Sequence, residues 1–101
     1  MTTELDRLIH EPSRLRLVTL LFVVDESDFV FLSAQTGMTA GNISSHMSKL
    51  ESAGYVDVDK QFIDRKPRTV YRLTDAGREA VKTYREAMMS MIGVPDDSSD
   101  R

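Results

Sequence analysis

The chain has 101 residues, of which 41% are apolar and none is cysteine or tryptophan. This length suits one domain with a single core of modest size. The lack of cysteine excludes a disulfide framework, a thiolate nucleophile and a metal site with cysteine ligands. The longest apolar run, residues 20–24, is far shorter than the ~20 residues that cross a bilayer, and the acidic N-terminus is unlike a signal peptide. We therefore predict a small cytoplasmic protein without membrane contact.

The net charge of −3 hides an uneven distribution of charge along the chain. Between Lys60 and Arg72 there are five basic residues and one acid, a net +4 that leaves −7 for the rest. A basic segment in an otherwise acidic chain is compatible with DNA binding, and it is equally compatible with an ordinary exposed hairpin.

The first quarter of the chain predicts two helices. The segment 3–10 is expected to be helical, with Leu5, Leu8 and Ile9 on one face. Pro12 suits the first turn of a second helix that runs through 14–24. Because this second helix is apolar nearly all round, we expect it to be buried on most sides. The paired valines at its end also leave a strand open there.

The middle of the chain predicts a helix-turn-helix. Ser27 is expected to cap a helix over 28–36 that packs through Phe29, Val30 and Leu32, and Gly37 is expected to end it. Thr39 follows at once as the cap of a helix over 40–53. Two helices joined by so short a glycine turn are typical of this motif.

The helix over 40–53 buries a narrow stripe and exposes an unusual surface. Ile43, Met47 and Leu50 have the spacing of a core-facing stripe. The other side is polar but nearly uncharged, whereas a solvated helix usually carries pairs of Glu and Lys. Small hydrogen-bonding side chains and one glycine indicate close approach to a polar partner. These outward residues are Gly41, Asn42, Ser44, Ser45, His46, Ser48, Lys49 and Ser52.

The last part of the chain predicts a hairpin and a long helix. Alternating residues favour strands over 55–62 and 69–73, with a basic turn over 63–68 that contains an aspartate and a proline. Thr74 is expected to cap a helix over 75–92, and residues 96–101 are expected to form an acidic disordered tail. The fold class is therefore mainly α with a small antiparallel hairpin, an α+β domain over 1–95.

The helix over 75–92 has a wider apolar face than a small core needs. Its stripe of Val81, Tyr84, Met88 and Ile92 is widened by two alanines and Met91. Packing within one chain could absorb all of it, but we favour a homodimer joined through this helix and the N-terminal segment. The expected interface residues are Leu5, Leu8, Ile9, Val81, Tyr84, Met88 and Met91.

This order of elements resembles the winged-helix transcription regulators of the MarR and ArsR type. The segment 38–56 (MTAGNISSHMSKLESAGYV) resembles their recognition helix and its exit. The segment 64–78 (DRKPRTVYRLTDAGR) resembles their wing and the start of their dimerisation helix. The resemblance covers residues 4–92 and is closest to short regulators without a separate ligand domain.

The resemblance implies a homodimeric, sequence-specific regulator of transcription, expected to be a repressor, that binds a pseudo-palindromic site in double-stranded DNA. The helix over 40–53 would enter the major groove, and the wing over 63–68 would follow the backbone or the minor groove. The implied DNA contacts are Thr39, Gly41, Asn42, Ser44, Ser45, His46, Lys49, Arg65, Lys66 and Arg68. For His46, a phosphate contact and a purely structural place on the helix flank are both open.

The residue chemistry supports these contacts and leaves alternatives. Asn42 can bond the edge of adenine twice, and Lys and Arg attract phosphates. A winged helix used only for contact with another protein, without DNA binding, is the main alternative. A metal sensor would need a site of oxygen and nitrogen ligands. The sequence shows no catalytic triad, phosphate loop or metal-ligand cluster, so we expect no enzyme and no cofactor, and it assigns no residues to a small-molecule effector.

Overall fold

The computed structural model describes residues 5–93 and confirms the mainly helical α+β class. The strands form one antiparallel sheet in the order β1-β3-β2. None of the helices within this range has the length and apolar character needed to cross a membrane. In chain order the elements are α1 (Pro12–Val24), β1 (Glu26–Asp28), α2 (Phe29–Thr36), α3 (Ala40–Ser52), β2 (Val56–Ile63), β3 (Lys66–Leu73) and α4 (Asp75–Met91).

The expected helix over 3–10 is wrong for residues 5–10: residues 5 and 6 have no regular structure, and residues 7–10 form a turn and a bend. The physical reason lies in Asp6, whose Oδ1 accepts hydrogen bonds from the backbone N–H groups of Leu8 (2.9 Å) and Ile9 (3.4 Å). A short polar side chain that bonds its neighbours' backbone competes with helix formation. The second oxygen of Asp6 accepts the Tyr55 hydroxyl at 2.6 Å, and this hydrogen bond raises the pKa of Tyr55 to about 12.

The sheet has one strand more than predicted. β1 has three residues and pairs with β3, with Glu26 opposite Arg72 and Asp28 opposite Val70. The Arg72 guanidinium lies 2.7 Å from the Glu26 carboxylate. Ser27 is therefore a strand residue and not a helix cap. The cap of α2 is Asp28, whose carboxylate accepts the N–H of Phe31 at 2.9 Å.

The hairpin is tighter than the predicted six-residue turn. Only Asp64 and Arg65 separate the two strands, and both have positive φ, 53° and 67°. Such values at both central residues are typical of the two-residue turns that match strand twist. Pro67 is not a turn residue but lies in β3 opposite Phe62, beyond the three residues of β3 that pair with β1. Because Pro67 does not face β1, its missing N–H removes no hydrogen bond between β3 and β1.

The core lies between the three N-terminal helices, the sheet and the middle of α4. It excludes parts of two helices that the sequence placed inside: Val23 in α1 is 74% exposed and Val30 in α2 is 69% exposed. Each lies on a side of its helix that the core leaves uncovered, because an amphipathic helix can turn only one side inward. The core residues are Ile9, Leu17, Val18, Leu21, Leu32, Ile43, Met47, Leu50, Val56, Tyr71, Leu73 and Tyr84.

The start of α4 is fixed against the exit from α3. Thr74 caps α4 by accepting the N–H of Gly77 at 2.9 Å, and its own hydroxyl donates to the carbonyl of Gly54 at 2.6 Å. Gly77 is buried, and a Cβ there would overlap the carbonyl oxygen of Tyr55. Only glycine permits this close approach, which sets the direction of α4 relative to α3.

Candidate nucleic-acid interface

The helix-turn-helix is built by local hydrogen bonds as predicted. Gly37 ends α2 with a φ of 73°, and Thr39 caps α3 by accepting the N–H of Asn42 at 3.2 Å. Between them, the Ser33 hydroxyl donates to the carbonyl of Met38 at 3.1 Å. These bonds hold α2 and α3 in a fixed relation without a flexible loop.

α3 is anchored through one side and presents the other to solvent. Ile43, Met47 and Leu50 are at most 1% exposed, which confirms the predicted stripe. The predicted contact residues Thr39, Gly41, Asn42, Ser44, Ser45 and Lys49 are all exposed. A rigid helix therefore carries a row of short polar side chains on its open face.

His46 is the exception on this helix, because it is half-buried against the start of α1. Its Nδ1 lies 3.2 Å from the Arg14 guanidinium and 3.9 Å from the Glu11 carboxylate. Glu11 also caps α1 by accepting the N–H of Arg14 at 2.8 Å, and this backbone hydrogen bond lowers the pKa of Glu11. Between the two interpretations of His46, these contacts favour a place on the helix flank.

The three basic residues of the wing differ in their surroundings. Arg65 lies at the tip in the left-handed region, which bulky residues rarely adopt, and Lys66 follows it; both are exposed. Arg68 is instead paired with Asp28, with 3.4 Å between Nη2 and Oδ2. The sequence did not predict this pair, since the two residues are 40 positions apart and meet only through the β1–β3 pairing.

A cleft of about 790 Å³ separates α3 from the wing. Ser44 and Ser48 line it from the helix, and Lys60 and Lys66 line it from the wing, whereas Asn42, Ser45 and Lys49 lie on α3 outside it. Sequence analysis missed Lys60 as a site residue. The alternation of β2 could have indicated it, because Lys60 shares a sheet face with the half-buried Val58.

The cleft is mixed in charge, since three acids balance its three basic residues. Asp28, Glu51 and Asp64 lie among its lining residues together with Tyr71, which is 5% exposed. Burial and the nearby Glu51 carboxylate raise the pKa of Tyr71. Of the three basic residues in the cleft, Arg68 is paired with Asp28, whereas Lys60 and Lys66 form no ion pair among the described residues, and the same holds for Arg65 at the tip of the wing.

A second groove, of about 320 Å³, lies between α1 and α4 and is mostly apolar. Phe22, Val23 and Met88 are among its lining residues, and Lys82 and Arg85 line it as well. Past the groove, Met91 and Ile92 are 56% and 63% exposed.

Two predicted interface residues are buried within the chain itself. Ile9 is 0% and Tyr84 6% exposed, and the Tyr84 hydroxyl lies 2.7 Å from His10 Nδ1. Both therefore offer little free surface to a second chain, although Tyr84 also lines the groove between α1 and α4. Leu5, Leu8, Val81 and Met88 are half-buried against the core, and Met91 is exposed.

Comparison with known proteins finds one family model, described as a winged-helix DNA-binding domain, that matches residues 13–92. The chain is 30% identical over 78 residues to the uncharacterized protein MJ0432 of Methanocaldococcus jannaschii, covering 77% of this chain and 85% of that protein. It is 34% identical over 74 residues to the uncharacterized HTH-type transcriptional regulator YdgJ of Bacillus subtilis, covering 73% of this chain and 44% of YdgJ. A transcriptional regulator homologue from Pyrococcus horikoshii superposes with a TM-score of 0.81 at 30% identity, covering 95% of this chain and 91% of the other.

Proposed function

Since the chain belongs to the winged-helix DNA-binding domain family, we propose that this DNA-binding transcriptional regulator acts as a homodimeric repressor on a pseudo-palindromic site in double-stranded DNA. α3 enters the major groove, and the wing follows the neighbouring backbone or the minor groove. Repression follows from occupation of promoter DNA. This role is one of binding and assigns no catalytic group.

The open face of α3 supports recognition of bases. Asn42 offers the paired donor and acceptor that match adenine, and Ser45 can donate to or accept from a base or a phosphate. Gly41 has open space on its outward side, so the backbone can lie close to the floor of the groove. Lys49, one helical turn further, is placed for a phosphate.

The wing supports binding to the phosphate backbone. Arg65 and Lys66 are exposed at the end of the hairpin. Contacts from these side chains to phosphates would not distinguish one base sequence from another. Contacts of this kind fix the register of the protein and make affinity fall steeply with salt. Arg68 contributes less in the free protein, because Asp28 partly neutralises it.

The exposed apolar end of the molecule supports a dimer. Val23, Met89, Met91 and Ile92 are all at least 45% exposed near the end of α1 or of α4. A two-fold axis through this region would present two copies of α3 to half-sites about 34 Å apart, one helical turn of DNA. The proposed interface therefore keeps Leu5, Leu8, Val81, Met88 and Met91 and adds Ile92.

The observation that carries the proposal is the position of α3 and the basic wing on the two walls of one cleft. Its test is selection from a pool of random duplexes at two salt concentrations, followed by sequencing. We expect enrichment of an inverted repeat. Salt-sensitive binding without enrichment would contradict sequence specificity, and no binding at low salt would favour a module for protein contact.

The dimer has its own test. Replacing Met91 and Ile92 with lysine places two charges in the proposed interface without opposing the helix dipole, and we expect monomers by analytical ultracentrifugation. The matched control replaces Thr83 and Ser90, exposed on the polar side of α4, with lysine. Dimers that persist in the first variant would place the interface elsewhere.

A further inference from the structure

The wing exposes a large apolar side chain that lies outside the hydrophobic core. Phe62 is 78% exposed, more than any other large apolar residue among the described ones. It lies in β2 two positions before the turn, where its cross-strand partner is Pro67, itself exposed. Phe62 and the exposed Pro67 opposite it form a small apolar patch at the end of the wing, which is a candidate for contact with a partner.

The strand register tells on which side of the hairpin Phe62 lies. Alternation puts it on the same face as Val58 and Lys60 of β2, and opposite Pro67 on β3. Val58, Lys60 and Pro67 all line the cleft toward α3. The register therefore places Phe62 on the same face of the hairpin as these three residues and nearer the tip than Val58 and Lys60, although Phe62 itself does not line the cleft.

The basic residues near Phe62 indicate which kind of partner this side chain contacts. Lys60 precedes it on the same face, Arg65 and Lys66 follow at the turn, and Arg68 lies one position beyond Pro67. Lys60 shares the face of Phe62, whereas Lys66 and Arg68 pair with Ile63 and Gln61 on the alternate face. An apolar side chain this close to several cations is poorly suited to another apolar surface, because the nearby cations would have to be desolvated. It suits a polyanion whose grooves have apolar walls.

We propose that Phe62 is an apolar wedge that enters the minor groove of the bound duplex while Arg65 and Lys66 hold the flanking phosphates. This deepens the proposed function and rests on it. Proteins that bind the minor groove insert Phe, Leu, Ile, Met or Pro between base steps and kink the duplex. Pro67 restricts the strand behind Phe62, which limits how far the ring can retreat.

The wedge and the basic residues differ in their response to salt, which makes the proposal testable. Burial of Phe62 releases no counterions, so its loss changes affinity without changing the salt slope. Phe62→Ala should weaken binding to a random 30-base-pair duplex pool about tenfold at each salt concentration. Phe62→Leu should retain much of the affinity that Phe62→Ala loses. Because Phe62 is outside the core, the melting temperature should be unchanged in both variants.

Photocrosslinking supplies an independent readout on the same pool. With p-benzoylphenylalanine at position 62 we expect crosslinks to DNA that a minor-groove ligand prevents, and none with the same group at position 83 on the exposed side of α4. If Phe62→Ala binds as tightly as the parent, the wedge is wrong, although salt-dependent binding by the parent keeps the proposed function. A crosslink to a second protein chain would equally overturn the wedge. Absence of any DNA binding by the parent would overturn both.

Discussion

α3 and the wing lie on two walls of the same cleft but are built in opposite ways. α3 rests on three side chains that are at most 1% exposed, and it presents short, nearly uncharged groups. The wing beyond Lys60 is held by the pairing of β2 with β3 and by the ion pair between Arg68 and Asp28, and it presents long basic side chains and an exposed phenylalanine. One surface is fixed by the core, and the other extends away from it.

This difference indicates a division of labour in DNA binding. Hydrogen bonds to base edges need donors and acceptors placed within tenths of an ångström, which a helix fixed to the core provides. Attraction to phosphates acts over several ångströms and tolerates flexible side chains. We therefore expect α3 to determine which sequence is bound and the wing to determine how tightly DNA is held.

The largest expected effect comes from the wing. Replacing Arg65 and Lys66 with alanine should lower the salt slope by about 0.9 for each phosphate that is no longer neutralised, which weakens binding on the order of 50-fold at about 0.1 M salt. The weakening should be similar for all sequences, since phosphates are the same in each. Fluorescence anisotropy across a salt series measures both quantities.

A charge-matched control separates contact from overall charge. Arg7 and Arg16 are exposed and line neither the cleft nor the groove between α1 and α4, so replacing both with alanine changes the net charge equally. This variant should bind nearly as the parent does. Equal weakening in the two variants would show that the wing has no special role.

We expect a smaller effect on DNA binding from α3, and it should change base discrimination without changing the dependence on salt. Asn42→Ala should cost about 1–3 kcal/mol of discrimination at one base position of the selected sequence. Its salt slope should stay unchanged, because no charge is removed. Ser52→Ala, on the exposed end of the same helix, is the control. If Asn42→Ala weakens binding to all sequences alike, then Asn42 does not read a base.

The smallest effect tests close approach of the helix backbone. Gly41→Ala fills open space on a helix, so the free energy of unfolding should rise by about 0.5–1 kcal/mol in a urea titration. DNA affinity should fall, since the added methyl group would lie between α3 and the groove. A variant that is both more stable and equally tight in binding would mean that α3 keeps a distance from the bases at this point.

The elements predicted correctly are those specified by short-range signals. Gly37 and Thr39 each determine a boundary through their own backbone or side chain, and the spacing of Ile43, Met47 and Leu50 determines which side of α3 faces inward. The strands of the hairpin follow from alternation. For this reason α3, the hairpin and α4 could all be placed from sequence.

What the sequence did not reveal depends on contacts between distant segments. β1 is too short to show a periodic pattern and exists because β3 offers it a free edge. That pairing brings Asp28 to Arg68, so one wing cation is already partnered. Ile9 and Tyr84 have the apolar pattern of an interface, yet both lie in the core.

The sequence by itself thus determined the helix-turn-helix, the basic hairpin and the polar face of α3, because capping, periodicity and composition act within a few residues. The tertiary structure decided which apolar side chains remain outside the core and which basic ones remain unpaired. Burial and ion pairing are properties of residues brought together from far apart in the chain. Phe62, Arg65 and Lys66 form one exposed group at the wing tip for that reason.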